Sequence, residues 1–234
     1  LRPAGNASVA FMGFRYRDSS VSAGQLALRQ WQNLANAGSV SLYIMGHLDN
    51  HKDRTALNAS KAAFAFHREH EALYRGLQSA AKVLLVTKPI MARSDPEVYG
   101  WVRALTESHI PFDEVKLTEL TPELLRRWDV VILGDVKQCS PQQTTMLDAY
   151  AAQGGIVLAS GSAPALQCLG VERVQAKLTD CMSTVFELGA AESALFPRSA
   201  NAHYLVPGAC VSEIQFAPDT KTMLRMISEH PFGP

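Results

Sequence analysis

The sequence predicts an α/β chain whose centre is a parallel sheet covered by helices, and two observations carry that expectation. Val83-Leu84-Leu85-Val86, Val130-Val131-Ile132-Leu133 and Ile156-Val157-Leu158-Ala159 are unbroken apolar runs, each ending at Thr, Gly or Ser and each followed by a helical pattern. Strands that are apolar on both faces belong in a parallel sheet with helices on either side. Asp95-Pro96, Thr121-Pro122 and Ser140-Pro141 each set a capping side chain before a proline of the first turn, the favoured way to start a helix. Ligands in such sheets gather beyond the carboxyl ends of the strands. Here that means Thr87-Lys88, Gly134-Asp135 and Ser160-Gly161-Ser162.

The opening third reads as strand, helix, strand, helix. Ser8 to Tyr16 is apolar and aromatic, and Arg15 and Arg17 carry it into a polar loop. Ser22 caps a helix whose apolar residues Leu26, Leu28, Trp31, Leu34 and Ala35 recur near helical spacing, and Gly38 closes it. Val40 to Met45 is a second strand ended by Gly46. After the polar loop His47 to Arg54, Ala56 to Leu77 reads as one long helix. From Lys82 the strands and capped helices alternate, with a short strand from Ile110 to Lys116, and Gly154-Gly155 closes the last helix. Val171 to Leu188 and Tyr204 to Phe216 show period-two stretches broken by Pro and Gly, as in edge strands or a loop-rich lobe.

The chain has 234 residues, enough for one large or two small domains. Lys plus Arg and Asp plus Glu number 22 each, and no stretch is dense in Lys or Arg, which argues against a nucleic-acid partner. No apolar run approaches the roughly 20 residues that cross a bilayer, so no membrane partner is expected either. Cys139, Cys168, Cys181 and Cys210 lie far apart without a CxxC pair, and free thiols are expected rather than a zinc site.

Read together, Leu34-Ala-Asn-Ala-Gly38, Leu42-Tyr-Ile-Met-Gly46, Phe64 to Tyr74 (FAFHREHEALY), Val83 to Val86, Tyr99-Gly-Trp-Val-Arg-Ala-Leu105, Ile110-Pro-Phe-Asp113, Leu120-Thr-Pro-Glu-Leu124, Asp129 to Leu133 and Gly154-Gly-Ile-Val157 carry a resemblance. In order and spacing they resemble the end of a glycoside hydrolase in which a (β/α)8 barrel is joined to a β-galactosidase trimerisation domain, itself of the class I glutamine-amidotransferase type. The match is good over residues 20 to 160 and loose beyond.

The resemblance implies a flavodoxin- or amidotransferase-like parallel sheet domain over residues 81–234, preceded over residues 1–80 by the last βα units of the barrel. The turn composition His230-Pro231-Phe232-Gly233-Pro234 suggests that the second part is cut short at its C-terminus. The resemblance further implies a homo-oligomer, a carbohydrate bound by the full-length parent, and a stretch that supplies subunit contacts and one wall of the active-site face. Trp101, Leu105 and Tyr150 are candidates for interface or core. Localisation stays open.

Glycosidases need two carboxylates about 5 to 10 Å apart, held in barrels at the carboxyl ends of strands. The strand ends in residues 1–80 offer Arg15, Arg17, Asp18, His47, Asp49 and Asp53 but no Glu, so no catalytic acid or nucleophile is identifiable. Arg15, His47 and Asp49 remain as substrate contacts, and His47, Asp49, His51 and Asp53 alternate through one loop in a way that suits a sugar hydroxyl, a metal, or simply solvent. The solvated loop is the plainer reading. His67 and His70 lack HExxH spacing and read as a helix face.

In the amidotransferase-like part, the strand end that would present a catalytic cysteine reads Ala159-Ser160-Gly161-Ser162-Ala163, without a thiol, and Cys168 comes too late. Ser162 lacks the G-x-S-x-G frame of a nucleophile. Thr87, Asp135, Ser160 and Ser162 form the alternative ligand site, for small-molecule binding or amidotransferase-like chemistry. No metal and no cofactor are expected: Val86-Thr87-Lys88-Pro89 stands where a G-x-G-x-x-G phosphate cradle would follow the first strand.

Overall fold

The computed structural model describes residues 5–8, 18–36, 38, 40–88, 95–177, 185–189, 192, 194–196, 202–205 and 212–227. The chain divides into two compact units, residues 1–79 and 80–234.

Unit 1 is a βαβα arrangement. Strands β1 (Gly5–Ser8) and β2 (Val40–Tyr43) pair in parallel, with Gly5 opposite Val40 and Ser8 opposite Tyr43. Helix α1 (Ala23–Ala35) joins them, and the Ser22 side chain accepts the Gln25 N–H as its cap. Its residues Leu26, Gln30 and Leu34, one helical face, are buried. Helix α2 (Leu57–Glu69) follows and packs on α1, with Ser60 and Ala63 buried and Gln30 Nε2 donating to Ser60 Oγ at 2.6 Å. The expected single helix from Ala56 to Leu77 is interrupted: His70 leaves the helical region at φ −110°, and α3 (Glu71–Tyr74) is a separate turn. No Gly or Pro marks that break in the sequence. The expected strand Ser8 to Tyr16 lies outside the described residues beyond Ser8, as does Arg15.

Unit 2 is built on the parallel sheet β4-β3-β5-β6, formed by β3 (Val83–Thr87), β4 (Phe112–Lys116), β5 (Val130–Gly134) and β6 (Ile156–Ser160). Helices α4 (Pro96–Glu107), α5 (Pro122–Leu125) and α6 (Pro141–Ala152) start at the expected caps Asp95, Thr121 and Ser140, the last with a full capping box through Gln143. The sheet separates two cores. Leu84, Val86, Val131 and Leu133 pack with Leu125, Trp128, Leu147 and Tyr150 on one face, and Leu85 and Ile132 pack with Val98 and Leu105 on the other. Leu105 and Tyr150 are therefore core residues and not interface candidates.

The central strands β3 and β5 are buried beyond their first residue, as the apolar runs require, but β6 is not. Ile156 and Leu158 are 53% and 41% exposed: among the described residues β6 is the last strand of the sheet, and the α4 core draws its strand residues from β3, β4 and β5. Beyond Gly170 the described residues form two small antiparallel sheets, from strands within the expected stretches and one, Arg225–Ile227, that lies beyond them. One pairs β7 (Val171–Lys177) with β10 (Ser212–Phe216); the other orders β11 (Arg225–Ile227), β8 (Val185–Glu187) and β9 (Tyr204–Leu205).

Candidate functional site at the strand ends of unit 2

The chain runs from β3 outward to β4, then crosses back past β3 to β5. The loops leaving β3 and β5 therefore diverge, and the crevice between their carboxyl ends is where such sheets hold ligands. Lys88, the residue after β3, and Asp135, the residue after β5, meet there. The Lys88 ammonium donates to Asp135 Oδ2 and, at 3.0 Å, to Asp95 Oδ2. Asp95 uses its other oxygen to cap α4, accepting the N–H groups of Glu97 at 3.0 Å and Val98 at 3.4 Å. Asp135 Oδ1 accepts the Ser162 N–H at 3.0 Å, while the Asp135 N–H donates to the Ser160 carbonyl at 2.9 Å. Trp101 closes the circle by donating its indole N–H to Ser160 Oγ.

Two backbone turns make this convergence possible. Asp135 sits in the left-handed region at φ 49°, which Asp tolerates better than most residues, and Gly161 at φ 69°. Gly161 occupies the sharp turn that follows β6. A Cβ there would lie 3.1 Å from Asp135 Oδ1 and 3.2 Å from Glu97 Cγ, so the space for a reactive side chain is filled by carboxylate-bearing neighbours.

The electrostatics follow from the ion pair. Burial opposes the charge on Asp135, but hydrogen bonds from Lys88 and Ser162 outweigh it and hold the carboxyl below its usual range. Burial likewise opposes the charge on Lys88, and its bonds to Asp135 and Asp95 overcome it, raising the ammonium above its usual value. A carboxylate made less basic is a poor acceptor for the Ser162 proton, and an ammonium made less acidic is a poor general acid or amine nucleophile. Asp135, Ser160 and Ser162 are thus brought together by hydrogen bonds. Thr87 is not part of the cluster: it is buried, and its hydroxyl lies 3.4 Å from Glu114 Oε1 and 3.5 Å from the Val115 carbonyl of β4. Lys88, at an expected strand end but outside the expected set of four, joins the cluster together with Asp95 and Trp101, for which the sequence gives only a helix cap and a helical aromatic.

The other expected positions are more loosely held. In unit 1, His47 is exposed, and the Asp49 side chain is 99% exposed with Arg54 Nη2 at 3.9 Å. His51 turns inward, its Nε2 2.8 Å from the Met45 carbonyl, and Asp53 Oδ1 accepts the Thr55 N–H at 2.9 Å. The four residues of the loop therefore do not converge, and among the described residues no group of three His, Cys, Asp or Glu is placed to hold a metal ion. His67 and His70 pack edge-on against Tyr74 and Phe66.

Cys139 and Cys168 are free thiols, while Cys181 and Cys210 lie outside the described residues. Burial, then the nearby Asp148 carboxylate, pushes the Cys139 thiol up. Partial burial and then Asp148 push Cys168 up to about 12. Neither supplies a thiolate at neutral pH.

No protein-family model matches the chain, and no curated protein matches it in sequence. Solved structures do match it in three dimensions. An α-L-fucosidase isoenzyme 2 from Paenibacillus thiaminolyticus is similar over 98% of this chain at a TM-score of 0.68 and 21% identity. The chain shares the fold of part of that enzyme. Gan42B, a GH42 β-galactosidase from G. stearothermophilus, is similar over 94% of the chain at a TM-score of 0.65 and 13% identity. A β-galactosidase from Bacillus circulans sp. alkalophilus is similar over 91% at 0.62 and 15% identity. The chain spans 36% of the length of each of these three proteins.

Proposed function

We propose that this chain is part of a glycoside hydrolase. In this reading unit 1 is the closing pair of βα units of a (β/α)8 barrel, and unit 2 is a non-catalytic amidotransferase-like domain that serves subunit association and walls the active-site face. Carbohydrate is bound by the longer protein, with Arg15, His47 and Asp49 at the rim of its site. The observation that carries the reading is a fold likeness that runs through nearly the whole chain yet spans only 36% of the fucosidase and β-galactosidase chains.

Physical chemistry supports the same reading. A parallel pair is stable when it belongs to a larger sheet covered on both faces. Yet β1 and β2 are paired only with each other among the described residues, and along β2 Val40, Ser41 and Leu42 are half-buried while Tyr43 is 48% exposed. Further parallel strands would complete that sheet. Unit 2, for its part, offers a strand-end centre without a thiolate or an activated hydroxyl.

The coding region upstream of Leu1 tests this. We expect about six further βα units, two of them ending in the carboxylates that cut the glycosidic bond. An upstream sequence without strand-helix alternation, or without such a pair of acids, overturns the barrel reading.

A further inference from the structure

We draw no further inference here: the strongest candidate, the open hollow between the loops that follow β5 and β6, lined by Lys137, Gln138, Cys139, Thr144, Pro164 and Ala165, carries none, since nothing in the structure shows what covers it or which chemistry would occupy it.

Discussion

Gly155→Ala destabilises unit 2 by about 3 kcal/mol, the upper end of what overpacking a filled core costs. The Tyr150 ring lies directly over Gly155, and a methyl group there would fall 2.2 to 2.6 Å from the ring atoms Cζ, Cε1 and Cε2. The ring cannot swing away cheaply. It is 8% exposed, belongs to the α6 core, and its hydroxyl donates to the Trp128 carbonyl at 3.0 Å. Moving it breaks a buried hydrogen bond and opens a void between α6 and the sheet. The same replacement at Gly100, in the middle of α4, meets nothing within 4 Å and stabilises by about 1 kcal/mol through helix propensity. Denaturant melts of both variants check the pair. Equal stability of Gly155→Ala and the parent would show that Tyr150 does not hold this position.

Lys88→Met costs about 2 kcal/mol, less than the loss of a fully buried partner because the three groups keep some contact with water. Side-chain exposures of 30% for Lys88, 18% for Asp95 and 21% for Asp135 put the cluster between surface and interior. Without the ammonium, two carboxylates face each other at the mouth of the sheet. Adding Asp135→Asn, which tolerates the left-handed backbone, relieves that repulsion, so the double variant is more stable than the sum of the singles.

The pH dependence follows from the two shifts. Asp135 titrates below its ordinary 3.8 in the fold, so its contribution is present above that value and fades as pH falls through the lower, folded value. Lys88 titrates above its ordinary 10.5, so its contribution is complete below that value and fades as pH rises through the higher, folded one. The stability gap between parent and Lys88→Met is therefore widest between about pH 4 and 10 and narrows at either end. A gap constant with pH would mean that the lysine acts by packing alone.

Much of this architecture was legible because its signals are local. Ser22, Asp95, Thr121 and Ser140 cap helices where the sequence places them, and the apolar runs mark β3, β5 and β6 to within a residue. What was not legible depends on partners distant in sequence. An apolar run does not say whether its strand lies at the centre or the edge of a sheet, so the exposure of Ile156 and Leu158 came only with the strand order. Lys88 and Asp135 are 47 residues apart, and their pairing needs the crossover of the chain from β4 back to β5. Trp101 read as core or interface because a helical aromatic gives no hint that its N–H reaches Ser160. The break at His70 arises where Phe66 and His70 pack edge-on, a contact that spacing alone does not announce.

The most direct measurement is hydrolysis of nitrophenyl β-galactoside and α-L-fucoside by a protein extended through the upstream βα units proposed for it, beside this chain alone. The account predicts turnover by the longer protein, no turnover by the chain, and no loss in the longer protein carrying Ser162→Ala. Turnover by the chain alone, abolished by Ser162→Ala or Asp135→Asn, would place the chemistry at the strand ends of unit 2 and contradict it.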